Sequence, residues 1–294
     1  MSHKPNKPNK PNKPNKPNKH HFVPEFYQKG FCNDAGELFA YKKTYGRIKS
    51  WTPSQILYEQ DLHTIKLKNK ETVMIEQFYS LIEGEFSKCI TILRENINNN
   101  ELISYLNQNS HFIKLAKLLI ATQFWRTPCK KELALQYSPQ LVEFYDKADN
   151  EIKAMLHYDR KFVKYLSKRA KKDDSIKVIQ FLLLPLLSFD LSKEANHMIF
   201  FRAPKERFFF SSDRPVIYDE YEKLFSFRSF LFPFSKELVL LGSEKDIREI
   251  NINNVNLLIE KKALEVVISG SKLQLDELRN YKSKKISQRN HDSI

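Results

Sequence analysis

The chain has 294 residues, 41% of them hydrophobic and 13% aromatic, which is enough to bury a sizeable core and excludes a disordered polymer. Six glycines, with neither GxGxxG nor GxxxxGK(S/T), exclude glycine-rich dinucleotide and P-loop sites. Three cysteines, Cys32, Cys89 and Cys129, without CxxC spacing, exclude a disulfide framework and a cysteine zinc site. A net charge of +14, from 49 basic and 35 acidic residues, is the footprint of a protein that meets phosphate backbones; a lysine-rich composition gives the same number.

In chain order, residues 1–19 end in a Lys-Pro-Asn triplet repeat. Proline at every third position blocks helix and ladder bonding and favours an extended three-residue-per-turn arm with its lysines, Lys16 and Lys19 among them, along one edge. Such an arm either grips phosphates or serves as a spacer. His20-His21-Phe22-Val23-Pro24-Glu25-Phe26-Tyr27-Gln28-Lys29-Gly30-Phe31 follows, rich in rings and poor in flexibility, so folded structure begins there. Alternation predicts strands over 37–41 and 46–50, then a helical turn over 54–59 and a short extended piece over 62–65. A long amphipathic helix over 72–98 is predicted by Ile75, Phe78, Ile82, Phe86, Ile90, Leu93 and Ile97, with Glu83 flanking the stripe. A second helix over 110–127 carries Gln123 and Arg126 on its apolar face and stops at Pro128.

Helices are expected over 139–156, 160–171 and 175–189, the last kinked at Pro185. From His197 the pattern turns to strands: a hairpin of 197–203 with 207–211, then 215–218, 230–234 and 238–241. A helix over 246–263 and a strand over 265–269 close the domain. The fold class expected is α+β, a helical middle flanked by short antiparallel strands in a mixed sheet. The domain is drawn over 20–270, with a charged tail over 271–294. No signal peptide or membrane span is predicted, since the longest apolar run is well short of roughly 18 residues. A cytoplasmic, non-membrane protein is the expectation.

Several of these residues fall into a recognisable set. His20, His21, Val23, Pro24, Phe26, Tyr27 and Phe31 match an HHxVPxFYLRxF signature, with Gln28 and Lys29 where Leu and Arg are usual. Tyr58-Glu59-x-Asp61, Ile82-Glu83-Gly84-x-Phe86, Gln123-x-x-Arg126-Thr127-Pro128 and Ser212-Asp213-Arg214-Pro215-Val216 continue the match. As a set they resemble the DUF4238 family of uncharacterised bacterial proteins. His63 stands where that family has a tyrosine, so it is not counted as a ligand. The resemblance implies a fold but no settled activity.

The matched polar residues suggest chemistry. Histidines with carboxylates form the ligand set of Mg or Mn, and a bound ion activates water and stabilises a phosphorane. The reading drawn is a metal-dependent phosphodiesterase acting on DNA or RNA, in a bacterial defence setting. His20, His21, Glu83, Gln123 and Arg126 are its catalytic candidates, and Glu59, Asp61 and Asp213 its metal ligands. Lys16, Lys19 and Lys29 are the nucleic-acid contacts. Against it stand a non-catalytic binding module, with Glu83 and Arg126 as a structural pair and Asp213 as a turn former, and a sensor of a small phosphorylated ligand. Without a GxSxG elbow or an activated cysteine, covalent Ser or Cys hydrolysis is disfavoured.

Overall fold

The computed structural model describes residues 19–67, 70–72, 74–192 and 197–291; Lys16 and the repeat up to residue 18 lie outside them. The N-terminal third holds β1 (Lys19–His21), α1 (Glu25–Lys29), β2 (Leu38–Lys42), β3 (Arg47–Trp51), β4 (Tyr58–Gln60), β5 (Ile65–Leu67) and β6 (Lys70–Thr72). The helical middle comprises α2 (Met74–Glu95), α3 (Leu102–Gln108), α4 (Ser110–Arg126), α5 (Lys131–Tyr137), α6 (Leu141–Lys147), α7 (Asn150–Leu156) and α8 (Arg160–Arg169). It ends in α9 (Ser175–Val178) and α10 (Leu184–Leu187), separated by a π turn over Ile179–Leu183. Then come β7 (Met198–Arg202), β8 (Ser211–Ser212), α11 (Tyr221–Phe225), β9 (Phe230–Pro233), β10 (Leu238–Gly242), α12 (Ile252–Lys262), β11 (Val266–Ser269) and α13 (Lys272–His291).

The class is α+β with a helical middle. The strands are all antiparallel and divide among separate sheets, ordered β1-β4, β7-β10-β9, β3-β2-β11-β8 and β5-β6. The expected hairpin of 197–203 with 207–211 does not form. β7 instead pairs with β10, Phe200 opposite Leu240, and β8 pairs with β11. Aromatic alternation marks a strand, but long-range packing chooses its partner. Residues 215–218 contribute only a bridge from Ile217 to Leu231. Within the segment read as a charged tail lies α13, with Leu275 and Leu278 buried in the core between the four-stranded sheet and α12.

The stripe on α2 buries Ile75, Tyr79, Phe86, Ile90 and Leu93, as its spacing demands. The π turn has a local cause. Pro185 lacks an N–H, so the carbonyl four residues back, that of Phe181, loses its helical partner. The Tyr79 hydroxyl donates to that carbonyl at 2.9 Å, which ties α2 to the broken helix.

The opening motif is a docking device. Tyr27 is buried and donates its hydroxyl to Pro233 O at 2.6 Å while meeting Ser211 Oγ at 2.8 Å. Gln28, also buried, donates to Val23 O and Ile56 O. A Cβ on Gly270 would come 2.8 Å from Phe31 O, so only glycine lets the end of β11 approach the motif this closely. Among the described residues no helix is long and apolar enough to cross a membrane.

Candidate functional site

The opening strand, the long helix and α4 meet at a polar cluster inside the main core. On α2, Glu76, Tyr79 and Glu83 recur at three- and four-residue steps and share a face. On α4, Gln123 and Arg126 do the same. Arg126 is 4% exposed, donates Nε to His21 O at 2.7 Å and Nη1 to Glu83, and lies 4.2 Å over the Tyr79 ring. Gln123 Nε2 donates to Phe22 O at 2.9 Å. The apolar row of α4 thus continues in two polar residues because both hold the backbone of the motif strand.

His20 and His63 are 0% exposed. His20 Nδ1 accepts the His63 backbone N–H at 2.9 Å, so its proton belongs on Nε2. His63 Nδ1 faces Glu76 Oε1, which puts the proton there and leaves Nε2 as a lone pair. Neither Nε2 finds a partner among the described residues. One orphan donor and one orphan acceptor therefore sit side by side, with ring centroids 5.2 Å apart. Ligating atoms of His20, His63 and Glu76 all lie within 4.8 Å of one another. An ion there would use the carboxylate-oriented Nε2 of His63 and would have to displace the Nε2 proton of His20.

Burial pushes the His63 imidazole down to about 3; contact with Glu76 opposes this, and Arg126 adds to it. The pair is a neutral imidazole donating to a carboxylate, not an ion pair. Burial pushes the Glu76 carboxyl up, but the His63 hydrogen bond and the field of Arg126 outweigh it and hold it below the glutamate value. His21 is lowered by burial and by Arg126 against the pull of Glu25, 3.5 Å away. Folding thus depresses the His63 value below its unfolded 6.5. The unfolded chain binds the extra proton, so stability is full above about pH 6.5 and falls towards pH 3. Urea melts between pH 7 and pH 4 are expected to lose up to about 1.4 kcal/mol per pH unit more in wild type than in His63→Gln.

The remaining candidates are placed elsewhere. Glu59 lies opposite His20 in the β1-β4 register but is exposed. Asp61 is an exposed turn residue at φ 52°, its carbonyl accepting from Thr64 and Lys177. Asp213 has both oxygens committed to the backbone N–H groups of Leu264, Glu265 and Val266, at 2.6 to 2.9 Å. Lys29 is exposed at the end of α1, and Lys19 lies 4.6 Å over the Tyr58 ring. The cluster therefore gathers His20, the His21 backbone, Glu83, Gln123 and Arg126, without bringing in Glu59, Asp61 or Asp213 as ligands. Sequence reasoning passed over Glu76 and His63. The face shared by Glu76, Tyr79 and Glu83 was the readable signal for the first.

A second group opens to solvent behind the last turn of α4. A cavity of about 280 Å³ is lined by Phe124, Thr127, Lys130, Arg214, Tyr218 and Tyr221 among others. Lys130 Nζ lies 4.4, 4.8 and 5.6 Å from the ring centres of Phe124, Tyr218 and Tyr221 and hydrogen-bonds the Tyr218 hydroxyl. Burial pushes this lysine down to about 8, helped by the charge of Arg214. Arg214 has a buried Nε without an acceptor, and neither cation forms an ion pair with a carboxylate among the described residues. Lys262, on the same wall, is already bound to Asp219 at 2.7 Å.

The family described as "Protein of unknown function (DUF4238)" matches residues 19–287. The chain belongs to it. No curated protein and no solved structure matches. The match reaches beyond the strand-rich C-terminal part into α13, so that helix belongs to the DUF4238 domain.

Proposed function

We propose that this DUF4238 protein binds a small phosphorylated ligand in the cavity between the end of α4 and the turn after β8. The observation that carries this reading is Arg214, which lines a 280 Å³ cavity, forms no ion pair among the described residues, and has a buried Nε without an acceptor. Buried donors are normally paired, and a guanidinium fork matches a phosphate group. The three aromatic rings supply the apolar wall expected of a small-ligand site. Calorimetric titration with inorganic phosphate and with pyrophosphate tests it. Arg214→Ala is expected to weaken binding roughly ten- to hundredfold, the worth of a charged hydrogen bond. Equal binding by wild type and variant would overturn the reading.

The second reading is a metal-dependent phosphodiesterase acting on nucleic acid, favoured by the convergence of His20, His63 and Glu76. It needs a path to two side chains that are fully buried. Cleavage of DNA or RNA in Mg²⁺ or Mn²⁺ that disappears in His63→Gln would decide for it.

A further inference from the structure

Lys130 is placed unlike any ordinary surface lysine. It follows Pro128 in the turn that ends α4, so its short tether points the side chain back over Phe124. Its Nζ is enclosed by three rings, faces a phenol hydroxyl, and shares the cavity with Arg214. A lysine kept only for solubility would extend to water, and one kept for an ion pair would meet a carboxylate. This one does neither among the described residues. Its value of about 8, against 10.5 for a free side chain, leaves roughly three hundred-fold more neutral amine at pH 7 than an exposed lysine has. Desolvation beside another cation is the setting that makes an amine a nucleophile.

We propose that Lys130 forms an imine with a small phosphorylated aldehyde or ketone whose phosphate is held by Arg214. This rests on the phosphate-binding reading and names its ligand class. The Lys130 nitrogen adds to the carbonyl carbon, and one N–H proton passes through the Tyr218 hydroxyl to the carbonyl oxygen, giving a carbinolamine. That oxygen then leaves as water, carrying the second N–H proton, and a C=N bond remains. No oxidant or reductant enters.

The test uses the full chain with pyridoxal 5′-phosphate and with pyridoxal, each followed by borohydride reduction, intact mass and peptide mapping. The phosphorylated probe is expected to give one adduct per chain, at Lys130, at a concentration roughly ten- to hundredfold below that needed by pyridoxal. Inorganic phosphate should protect the site, and Arg214→Ala should erase the preference for the phosphorylated probe. Lys130→Arg keeps the cation among its rings, so the fold is retained while the adduct is lost. Adducts spread over other lysines, with Lys130 unmodified, overturn the imine. If phosphate still binds and Arg214→Ala abolishes that binding, the imine alone has failed. An adduct at Lys130 made equally well by both probes overturns the phosphate reading instead.

Discussion

Arg126→Ala is expected to destabilise the protein by about 3–5 kcal/mol, the range for removing one member of a buried ion pair. The side chain is almost completely buried and serves three groups at once: Glu83, the His21 carbonyl and the face of Tyr79. Its loss leaves a half-buried carboxylate without a cation, a backbone carbonyl without a donor, and a void beneath an aromatic ring. At roughly 2–4 °C per kcal/mol for a chain of this size, the melting temperature should fall by about 10 °C. Arg126→Lys should recover only part of this, because an ammonium cannot reach carbonyl and carboxylate together in the planar geometry of a guanidinium. Denaturant unfolding of the three proteins checks the order. A loss below about 1 kcal/mol in Arg126→Ala would mean that Glu83 rehydrates freely and that the cluster does not hold the motif strand.

Asp213→Ala should be comparably damaging, although it lies outside the histidine cluster. Its carboxylate accepts the backbone N–H groups of Leu264, Glu265 and Val266, the residues that lead into β11. The Val266 amide is buried, so losing its acceptor costs about 1–3 kcal/mol, while the part-buried amides of Leu264 and Glu265 regain water and cost less, for a sum on the order of 3 kcal/mol. Asp213→Asn should rescue partially, since one oxygen remains and the new NH₂ opposes an amide. The same substitutions should weaken phosphate binding, because the turn that Asp213 clamps presents Arg214. A side chain that acted only as a metal ligand would leave unfolding unchanged when removed, so unaltered stability in Asp213→Ala would refute the clamp.

In both cases residues that read as chemistry in the sequence serve the architecture of the chain. Arg126 and Gln123 read from the sequence as polar members of an apolar row, and the structure explains the row: each satisfies a carbonyl of the segment that opens the domain, His21 in β1 and Phe22 just after it. Glu83 read as flanking the apolar stripe, and it sits there, half-exposed, against Arg126. His63 was set aside because a tyrosine is usual at its position. In this fold it is buried between His20, Tyr79 and Phe181, a setting that an aromatic ring of either kind would fill.

The amino-acid sequence by itself determined the local elements with the strongest periodicity, above all α2 and α4, and the α+β class. Their apolar stripes state which face is buried whatever the partner. It also marked the family, through a set of short motifs whose spacing survives without a structure. Only the tertiary structure decided which strands pair, that β7 joins β10 and not its neighbour, and that α13 packs its first turns into the core. Pairing depends on contacts between residues far apart in the chain, and no window of sequence contains both partners. The same reason hid the two sites. Lys130 and Arg214 are 84 positions apart and carry no shared motif, and their meeting in one aromatic cavity is a property of the folded chain alone.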